Sequence, residues 1–336
     1  MKAFMIRKPH CAELAEVEKP EAAPGEVLIK VAAAGFCGTD IHTFRGEYPS
    51  GYPIIPGHEF AGTVEKTGSG VTRFKPGDRV VADPNVFCES CFYCLRNQQI
   101  HCENISVIGN FRHGALAEYV TAPERCLFHS LGIDPLQAAM AEPLACVINA
   151  HNKAAVSVGG DVLIFGAGTI GLMHLMLARR RGAARTVIVD VKPAQLDLAK
   201  RIGADAAVLS DAGLSDTLSK LAPRGFGMII DATGVPKVVE KAITHLMKLG
   251  TFIAFGVCPM DSAVTINPFE LYHNEWRLIG SYALQKNMDQ SVAMLGDGKM
   301  SLSPLIGEVI GIGQVPDRFA AFVRGETSNK IIVEFE

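Results

Sequence analysis

Four cysteines crowd into one short stretch of the chain, at Cys88, Cys91, Cys94 and Cys102. Thiolates at this spacing can surround a zinc ion at the usual zinc–sulfur distance of about 2.3 Å and fill all four tetrahedral positions. Free buried thiols would not require two successive two-residue spacers, and the bacterial iron–sulfur pattern ends in proline where this chain has Glu103. The pattern predicts a closed, structural zinc site that folds a lobe of low apolar content.

Cysteine and histidine also occur in two motifs nearer the N-terminus, CGTDIH at 37–42 and PGHE at 56–59. Cys37 and His58 would offer one thiolate and one imidazole, a mixed donor set that suits zinc. Taken singly, each residue is more often a buried structural side chain than a metal ligand. The residues by themselves therefore leave open whether the two side chains face one cleft.

A glycine-rich turn follows an apolar segment at 161–165 and precedes a helical pattern. Gly166 allows a sharp turn, Gly168 lets the backbone approach a pyrophosphate, and Gly171 allows close packing of the helix. The helix N-terminus offers unpaired N–H groups to the same anion. With a strand before it and a helix after it, the turn predicts a dinucleotide-binding unit.

Asp190 ends the next predicted strand, nineteen residues after Gly171. A carboxylate in this position can accept hydrogen bonds from ribose hydroxyls and repel a 2′-phosphate, so the sequence predicts NAD rather than NADP. The alternative is that Asp190 merely caps the helix that opens at Pro193. Lys192 lies near enough to soften the preference for NAD.

Two kinds of segment must position these residues. Up to about residue 125, β-rich segments alternate with Gly/Pro turns, which is typical of an irregular all-β unit. Its predicted strands are Val27–Ala34, Glu59–Thr67, Arg79–Ala82 and Glu118–Thr121. From about residue 150, apolar strands alternate with helical patterns, which predicts a parallel, doubly wound α/β sheet.

The α/β region contains six predicted strands and several predicted helices. The strands are Val162–Phe165, Thr186–Val189, Ala206–Leu209, Gly227–Asp231, Thr251–Phe255 and Arg277–Gly280. The helices include Ile170–Arg181, Pro193–Ile202 and Lys237–Leu249, with Gly250 suited to the end of the last. The alternating segment Lys330–Glu336 could add an edge strand.

Composition excludes several classes of partner. The 32 basic and 35 acidic residues give a net charge of −3, so we expect no broad surface for nucleic-acid phosphates. The longest apolar stretch, Val162–Ala178, is interrupted by glycines and His174 and is too short to span a bilayer. The N-terminus lacks the features of a secretion signal. We expect a cytoplasmic protein that acts on a small molecule.

Six features in order resemble the zinc-containing medium-chain alcohol dehydrogenase family over nearly the whole chain: CGTDIH, PGHEFAG, the four-cysteine lobe, AEPLAC at 141–146, GAGTIG and Asp190. The resemblance implies a GroES-like, β-rich catalytic domain at 1–146 and 283–336, with a structural zinc lobe at 86–104. It also implies a Rossmann coenzyme domain at 147–282. The C-terminal segment would then complete the catalytic domain.

The resemblance further implies a catalytic zinc bound by Cys37 and His58, with carboxylates from Glu59 and Glu142 binding directly or through water. Which carboxylate ligates is left open. Many relatives with a third thiolate at the position of Glu142 act on simple alcohols, whereas the EPL at 142–144 resembles sorbitol and other polyol dehydrogenases. The expected reaction is hydride transfer from a secondary hydroxyl group of a polyol to NAD, or the reverse. Zinc would lower the pKa of the bound hydroxyl.

Thr39 and His42 resemble the family's proton relay, which runs from a hydroxyl to a histidine through the cofactor ribose. With Glu59 they are the expected catalytic residues, although Thr39 could be a turn or cap hydroxyl and His42 a surface histidine. Further coenzyme contacts implied by the resemblance lie at strand ends and at the phosphate turn. They are Ile170, Phe255, Gly256, Val257, Ser281 and Tyr282.

Three other readings compete with a polyol dehydrogenase. CGTDIH also resembles the threonine dehydrogenases, although Glu142-Pro143-Leu144 argues mildly against that branch. A zinc-ribbon nucleic-acid module joined to a dinucleotide sensor conflicts with the neutral charge. A zinc-free reductase of the same architecture would lack both ligand sets. Relatives often form homo-oligomers, so we expect a tetramer or dimer.

Overall fold

The computed structural model of the protein describes residues 1–154, 159–327 and 329–336, and it divides into two compact units. The first unit comprises Met1–Ala145 and Leu284–Glu336, and the second comprises Cys146–Ala283. No helix among the described residues combines the length and the apolar character needed to cross a bilayer.

The strands are β1 (Lys2–Lys8), β2 (Cys11–Glu16), β3 (Glu26–Gly35), β4 (Glu59–Thr67), β5 (Arg79–Ala82), β6 (Asn85–Val86), β7 (Ser106–Val107), β8 (Tyr119–Pro123), β9 (Leu127–His129), β10 (Asp161–Phe165), β11 (Arg185–Asp190), β12 (Ala206–Leu209), β13 (Phe226–Asp231), β14 (Leu246–Ala254), β15 (Arg277–Gly280), β16 (Ile306–Gly311) and β17 (Lys330–Glu334). The α-helices are α1 (Gly38–Arg45), α2 (Pro135–Ala138), α3 (Ala141–Ala154), α4 (Thr169–Arg180), α5 (Pro193–Arg201), α6 (Leu214–Leu221), α7 (Pro236–Ile243), α8 (Pro268–His273), α9 (Met288–Gly296) and α10 (Val315–Val323).

The first unit is organised around β3, which pairs with β4, β8 and β17. The sheet order is β16-β17-β3-β4-β5-β9, with β8 alongside β3. Side chains from this sheet and from neighbouring segments, among them Phe4 in β1, Phe36 after β3 and Phe60 in β4, are buried in one apolar cluster. Because successive side chains of a strand point to opposite faces, this packing fixes the register of β3 and β4. The predicted strands in this unit are confirmed within two residues at each end.

One expectation for this unit is wrong. The segment predicted as an edge strand forms β17, which lies inside the sheet between β16 and β3. Lys330, Ile331, Ile332 and Val333 are all buried, in keeping with an interior strand. The alternation of polar and apolar residues in this segment was misleading because β16 pairs with the edge of β17 that does not face β3. The sequence of β16 only weakly indicates a strand.

The second unit is a parallel six-stranded sheet in the order β12-β11-β10-β13-β14-β15. This is the doubly wound arrangement that the alternating pattern predicts, so the predicted fold class is confirmed. The order reverses beside β10, so the turn after β10 lies where such sheets bind ligands.

The boundary between α7 and β14 differs from the prediction. The helix ends at Ile243, six residues before the predicted end, and the strand begins at Leu246. Gly250 therefore lies inside β14 rather than ending a helix. A Cβ at Gly250 would lie 2.8 Å from the Met247 carbonyl oxygen, so the glycine permits the irregular pairing of β14 with β13.

Candidate active site

The candidate metal ligands Cys37 and His58 meet where β3 ends and β4 begins. The two strands are antiparallel, and Gly35 at the end of β3 is paired with Glu59 at the start of β4. Cys37 follows β3 as the N-cap of α1, and His58 directly precedes β4. The ligand atoms of Cys37, His58 and Glu59 consequently lie within 4.8 Å of one another. This spacing answers the question that the separate motifs left open.

Glu59 forms a buried ion pair with a residue distant in sequence. Lys330 Nζ lies 2.6 Å from Glu59 Oε2 and also donates to the Phe36 carbonyl at 2.9 Å. Burial lowers the pKa of Lys330, but the charges of Glu59, Cys37 and Glu142 together outweigh that effect and raise the pKa. A Cβ at position 35 would lie 2.5 Å from Glu59 Oε2, so Gly35 is needed for this packing. Sequence reasoning missed Lys330, since nothing in KIIVE signals a buried charge.

His58 lies in a strongly negative environment. Burial by itself lowers the pKa of His58, but Cys37, Asp40 and Glu142 outweigh it and raise the pKa well above its ordinary value. Asp40 lies 3.7 Å from His58 Nδ1 and accepts hydrogen bonds from the Cys37 and Gly57 amides. An environment that retains a proton on His58 would also stabilise a metal cation bound to the same side chains. The thiol, imidazole and carboxylate donors suit zinc.

Glu142 lies in the first turn of α3 and is buried. Its charge raises the pKa of His58 and of Lys330, so it belongs to the same electrostatic cluster. It is not among the three residues whose ligand atoms lie within 4.8 Å of one another, in a search of the described residues. The structure thus brings together three of the four ligands expected for the catalytic zinc. The fourth, Glu142, interacts with this cluster through its charge.

Thr39 and His42 lie one turn apart on α1. Thr39 Oγ1 is 3.7 Å from Cys37 Sγ, so its hydroxyl borders the cluster formed by Cys37, His58 and Glu59. His42 lies in the last turn and is partly exposed, and its Nδ1 is 2.5 Å from Glu47 Oε2. Sequence reasoning also missed Glu47, although a carboxylate shortly after a histidine is a signal that could have been read.

The four cysteines of the lobe come together as their spacing predicts. Their sulfur atoms lie within 4.8 Å of one another, and the Cys88 amide donates to Cys102 Sγ at 3.3 Å. A hydrogen bond from the Ser90 amide is the largest influence that lowers the pKa of Cys88, to about 5. Burial raises the pKa of Cys94 to about 12. Four converging sulfurs fit a tetrahedral metal ion.

The glycine turn has the geometry that its sequence predicts. Gly166 adopts a left-handed φ of 94°, and Gly168 is the N-cap of α4 with open space beside its Cα. A Cβ at Gly171 would lie 1.7 Å from the Gly166 carbonyl oxygen, so only glycine allows α4 to start this close to the turn. Ile170 lies in the first turn of α4.

Asp190 ends β11 beside this turn. Its Oδ2 accepts a hydrogen bond from the Ala167 amide at 2.6 Å, and its Oδ1 accepts one from the Lys192 amide at 2.8 Å. The N-cap of α5 is Lys192, and no side-chain bond caps that helix. The carboxylate therefore faces the phosphate turn rather than capping α5.

The other expected coenzyme contacts follow the carboxyl ends of two parallel strands. Phe255, Gly256 and Val257 come directly after β14, and Ser281 and Tyr282 come directly after β15. The Phe255 and Gly256 amides both donate to the Asp231 carbonyl, which holds this loop beside β13. A thiol–imidazole–carboxylate cluster on a β-rich unit and a dinucleotide turn on a parallel sheet define the class of zinc-binding dehydrogenases.

Comparisons with known proteins agree with that class. Residues 23–131 match the alcohol dehydrogenase GroES-like domain, and residues 169–296 match the zinc-binding dehydrogenase domain. A D-altritol 5-dehydrogenase of Agrobacterium fabrum is 37% identical, with 88% of each chain covered. A D-arabinitol dehydrogenase of Uromyces fabae is 32% identical, covering 93% of this chain and 91% of the relative. An L-threonine 3-dehydrogenase of Burkholderia thailandensis is 32% identical, covering 96% and 95%.

A solved structure described as a zinc-binding dehydrogenase of Sinorhizobium meliloti, bound to NADP, superposes with a TM-score of 0.95 at 31% identity over 99% of both chains. The chain therefore belongs to the zinc-containing medium-chain alcohol dehydrogenase family. It is an oxidoreductase that uses zinc and a nicotinamide coenzyme. The family resemblance of the sequence motifs is confirmed.

Proposed function

We propose that the protein oxidises a secondary hydroxyl of a polyol with NAD. In this proposal the catalytic domain is 1–146 with 283–336, the coenzyme domain is 147–282, and one catalytic and one structural zinc are bound. The observation that carries the proposal is the convergence of Cys37, His58 and Glu59 within 4.8 Å in a chain whose relatives are named for altritol and arabinitol.

Cys37 and His58 would hold the catalytic zinc, with Glu59 and Glu142 supplying carboxylates. When bound, zinc would supply Lewis acidity that lowers the pKa of an alcohol hydroxyl. A carboxylate in place of a third thiolate makes the donor set harder and the water position more exchangeable. Such a site favours a substrate that offers two neighbouring oxygens, as a polyol does.

The protein's own groups would position the substrate and move its proton. Thr39 Oγ1 lies 3.7 Å from Cys37 Sγ, near enough for its hydroxyl to contact an alcohol bound beside the cluster. His42, one helical turn further on, reaches solvent and can pass a proton outward. Lys330 restrains Glu59 through the buried ion pair, so the carboxylate stays oriented towards the cluster.

NAD is the proposed coenzyme because of Asp190. Its carboxylate lies at the end of β11, 2.6 Å from the Ala167 amide in the turn that would receive the pyrophosphate. A negative charge at this position disfavours a 2′-phosphate and can accept hydrogen bonds from ribose hydroxyls. The proposed remaining contacts are Gly166, Gly168, Ile170, Gly171, Phe255, Gly256, Val257, Ser281 and Tyr282.

The test is a panel of alcohols followed by NADH or NADPH absorbance. Altritol, arabinitol, sorbitol, galactitol, butanediol and L-threonine are compared at equal concentration, each with NAD and with NADP, before and after removal of zinc. We expect the polyols to give the highest kcat/KM, NAD to exceed NADP, and chelation to abolish turnover. Faster oxidation of L-threonine would replace the proposed substrate class, and activity that survives complete zinc removal would refute the mechanism.

L-threonine is the second candidate substrate, since a threonine dehydrogenase aligns over nearly the whole chain. CGTDIH suits both branches. A polyol is preferred because the relative named for altritol has the higher identity, 37% against 32%.

We also propose that the protein forms a homo-oligomer through the open end of the second unit's sheet. β15 is the last strand in the order, and its residues are largely exposed. The adjacent α8 has no buried residue, and its Phe269 and Tyr272 are 65% and 79% exposed. An open strand edge flanked by apolar side chains can pair with the same strand of a second copy about a twofold axis. Sedimentation equilibrium of wild type and Tyr272→Glu tests this, with dissociation expected for the variant.

A further inference from the structure

The end of α1 folds back on the relay histidine. Gly46 adopts a left-handed φ of 76° and ends the helix, with its amide donating to the carbonyls of His42 and Thr43. The next amide, that of Glu47, donates to the His42 carbonyl at 2.9 Å. These bonds close the helix and fix the Glu47 backbone against the residue whose side chain would accept the substrate proton.

The side chains that follow the turn face the imidazole. Glu47 Oε2 lies 2.5 Å from His42 Nδ1, and the Tyr48 ring packs edge-on against the imidazole with centroids 5.4 Å apart. Glu47 and Tyr48 are both ionisable, and both contact the ring. The side chains of His42 and Glu47 are 31% and 45% exposed, so the pair lies at the boundary with solvent.

The contact with Glu47 determines which ring nitrogen is available. A carboxylate can only accept a hydrogen bond, whereas a neutral imidazole carries one N–H and one lone pair. Nδ1 must therefore carry the hydrogen that Glu47 accepts, and the lone pair is at Nε2. In the opposite tautomer a lone pair on Nδ1 would face the carboxylate at 2.5 Å, which is repulsive.

We propose that Glu47 is a positioning residue of the proton relay: it holds His42 as the Nδ1–H tautomer and leaves Nε2 as the atom that accepts the proton released by the alcohol. This rests on the proposed function. The proton adds to Nε2, the imidazolium is stabilised by the facing carboxylate, and the ring then releases a proton to water, so Glu47 is not consumed or protonated. The arrangement resembles a carboxylate that orients a catalytic histidine in other enzymes.

The competing explanation is an ordinary surface pair. Exposed ion pairs contribute little to stability and would leave turnover unchanged. The surface ion pair of Lys19 with Glu65 provides a matched control. Lys19 Nζ lies 2.9 Å from Glu65 Oε1, and the two side chains are 40% and 42% exposed. Removal of Glu65 changes the net charge by the same amount as removal of Glu47, at a position outside the relay.

The experiment compares Glu47→Ala, Glu47→Asp, Glu65→Ala, His42→Ala and the double variant Glu47→Ala/His42→Ala in the zinc-loaded protein. Nitrogen NMR of protein labelled at histidine reads the tautomer directly, and the His42 signals are identified by their loss in His42→Ala. We expect Nδ1–H in wild type and a shift towards Nε2–H in Glu47→Ala. We also expect kcat to fall by about tenfold or more in Glu47→Ala, with KM unchanged and partial recovery in Glu47→Asp.

The double variant should be no slower than His42→Ala, because Glu47 acts only through His42. Glu65→Ala should match wild type. An unchanged tautomer, an unchanged kcat in Glu47→Ala, or additive losses in the double variant would overturn the proposal while leaving an active wild type and the proposed function intact. Failure of wild type to oxidise any alcohol would overturn the proposed function, and this proposal with it.

Discussion

The two cysteine clusters of the first unit offer a direct comparison. The lobe takes all its donors from residues 88–102, and its sulfurs converge within 4.8 Å. Phe87 and Ile105 add apolar packing. The other cluster draws on the end of β3 and the start of β4, with Glu142 and Lys330 reaching it from more distant parts of the chain. Its side chains are largely buried. The first cluster consists of one residue type from one short segment. The second combines thiol, imidazole and carboxylate groups from separate segments of the chain.

The difference has a chemical consequence. A cluster of four thiols can complete the coordination of zinc and leaves no position for a substrate. A cluster of one thiol, one imidazole and carboxylates restrained by other charges leaves a position for an exchangeable ligand. We infer that the four-cysteine cluster stabilises the fold of its lobe, and that the cluster of Cys37, His58 and Glu59 takes part in the reaction.

The largest effect is expected for Cys37→Ser. A neutral hydroxyl is a poor zinc ligand, so the open site should lose its ion and with it several kcal/mol of transition-state stabilisation, on the order of 10⁴-fold in kcat/KM. Metal analysis should show one zinc per chain rather than two, and the circular dichroism spectrum should be unchanged. Retention of both ions with full activity would mean that Cys37 is not a ligand.

The next effect is expected for Lys330→Met. The substitution leaves the Glu59 carboxylate buried without its partner, and breaking a buried pair in this way costs about 3–5 kcal/mol. Urea unfolding of the zinc-loaded protein measures the loss. Lys330→Arg, which keeps the positive charge, is the control and should lose less. Equal stability of Lys330→Met and wild type would show that the ion pair does not restrain Glu59.

Cys94→Ser should affect turnover least, because the lobe does not contact the reacting atoms in this scheme. We expect loss of one zinc and faster proteolysis within residues 88–102, while kcat at low temperature stays that of wild type. Limited proteolysis and zinc analysis on the same sample check both points. A loss of activity as large as that of Cys37→Ser would contradict the assignment of a structural role.

A buried pair in the second unit serves as a metal-free reference. His151 Nε2 and His174 Nδ1 lie 3.1 Å apart, and burial lowers the pKa of His174 to about 3. The unfolded chain takes up this proton near pH 6.5 and the folded chain does not, so stability falls as pH drops below about 6.5, by about 2 kcal/mol at pH 5.

His174→Leu should remove this part of the pH dependence, measured by urea unfolding at pH 7.5 and pH 5. For each protein, the free energy of unfolding at pH 5 is subtracted from that at pH 7.5. A loss of packing in the variant affects both values equally and therefore cancels. An identical pH dependence in both proteins would show that the histidine is protonated in the folded state.

The local features of the fold were predictable because each depends on neighbouring residues. The turn Gly166–Gly171 and the strands β4 and β5 follow from residue type and alternation. The end of α7 was not predictable, since the helical pattern continues through Leu246 and only the pairing of that residue with Phe226 in the sheet makes it a strand. Competition between helix and sheet is decided by tertiary packing rather than by propensity.

The sequence by itself determined the four-cysteine lobe, the dinucleotide turn and the carboxylate after β11, because their spacing carries the geometry. Only the tertiary structure decided that Cys37, His58 and Glu59 converge and that Lys330 neutralises Glu59. Convergence depends on the antiparallel pairing of β3 with β4 and on the interior position of β17. Such pairings join residues far apart in the chain, and no local pattern encodes which side chains they bring into contact.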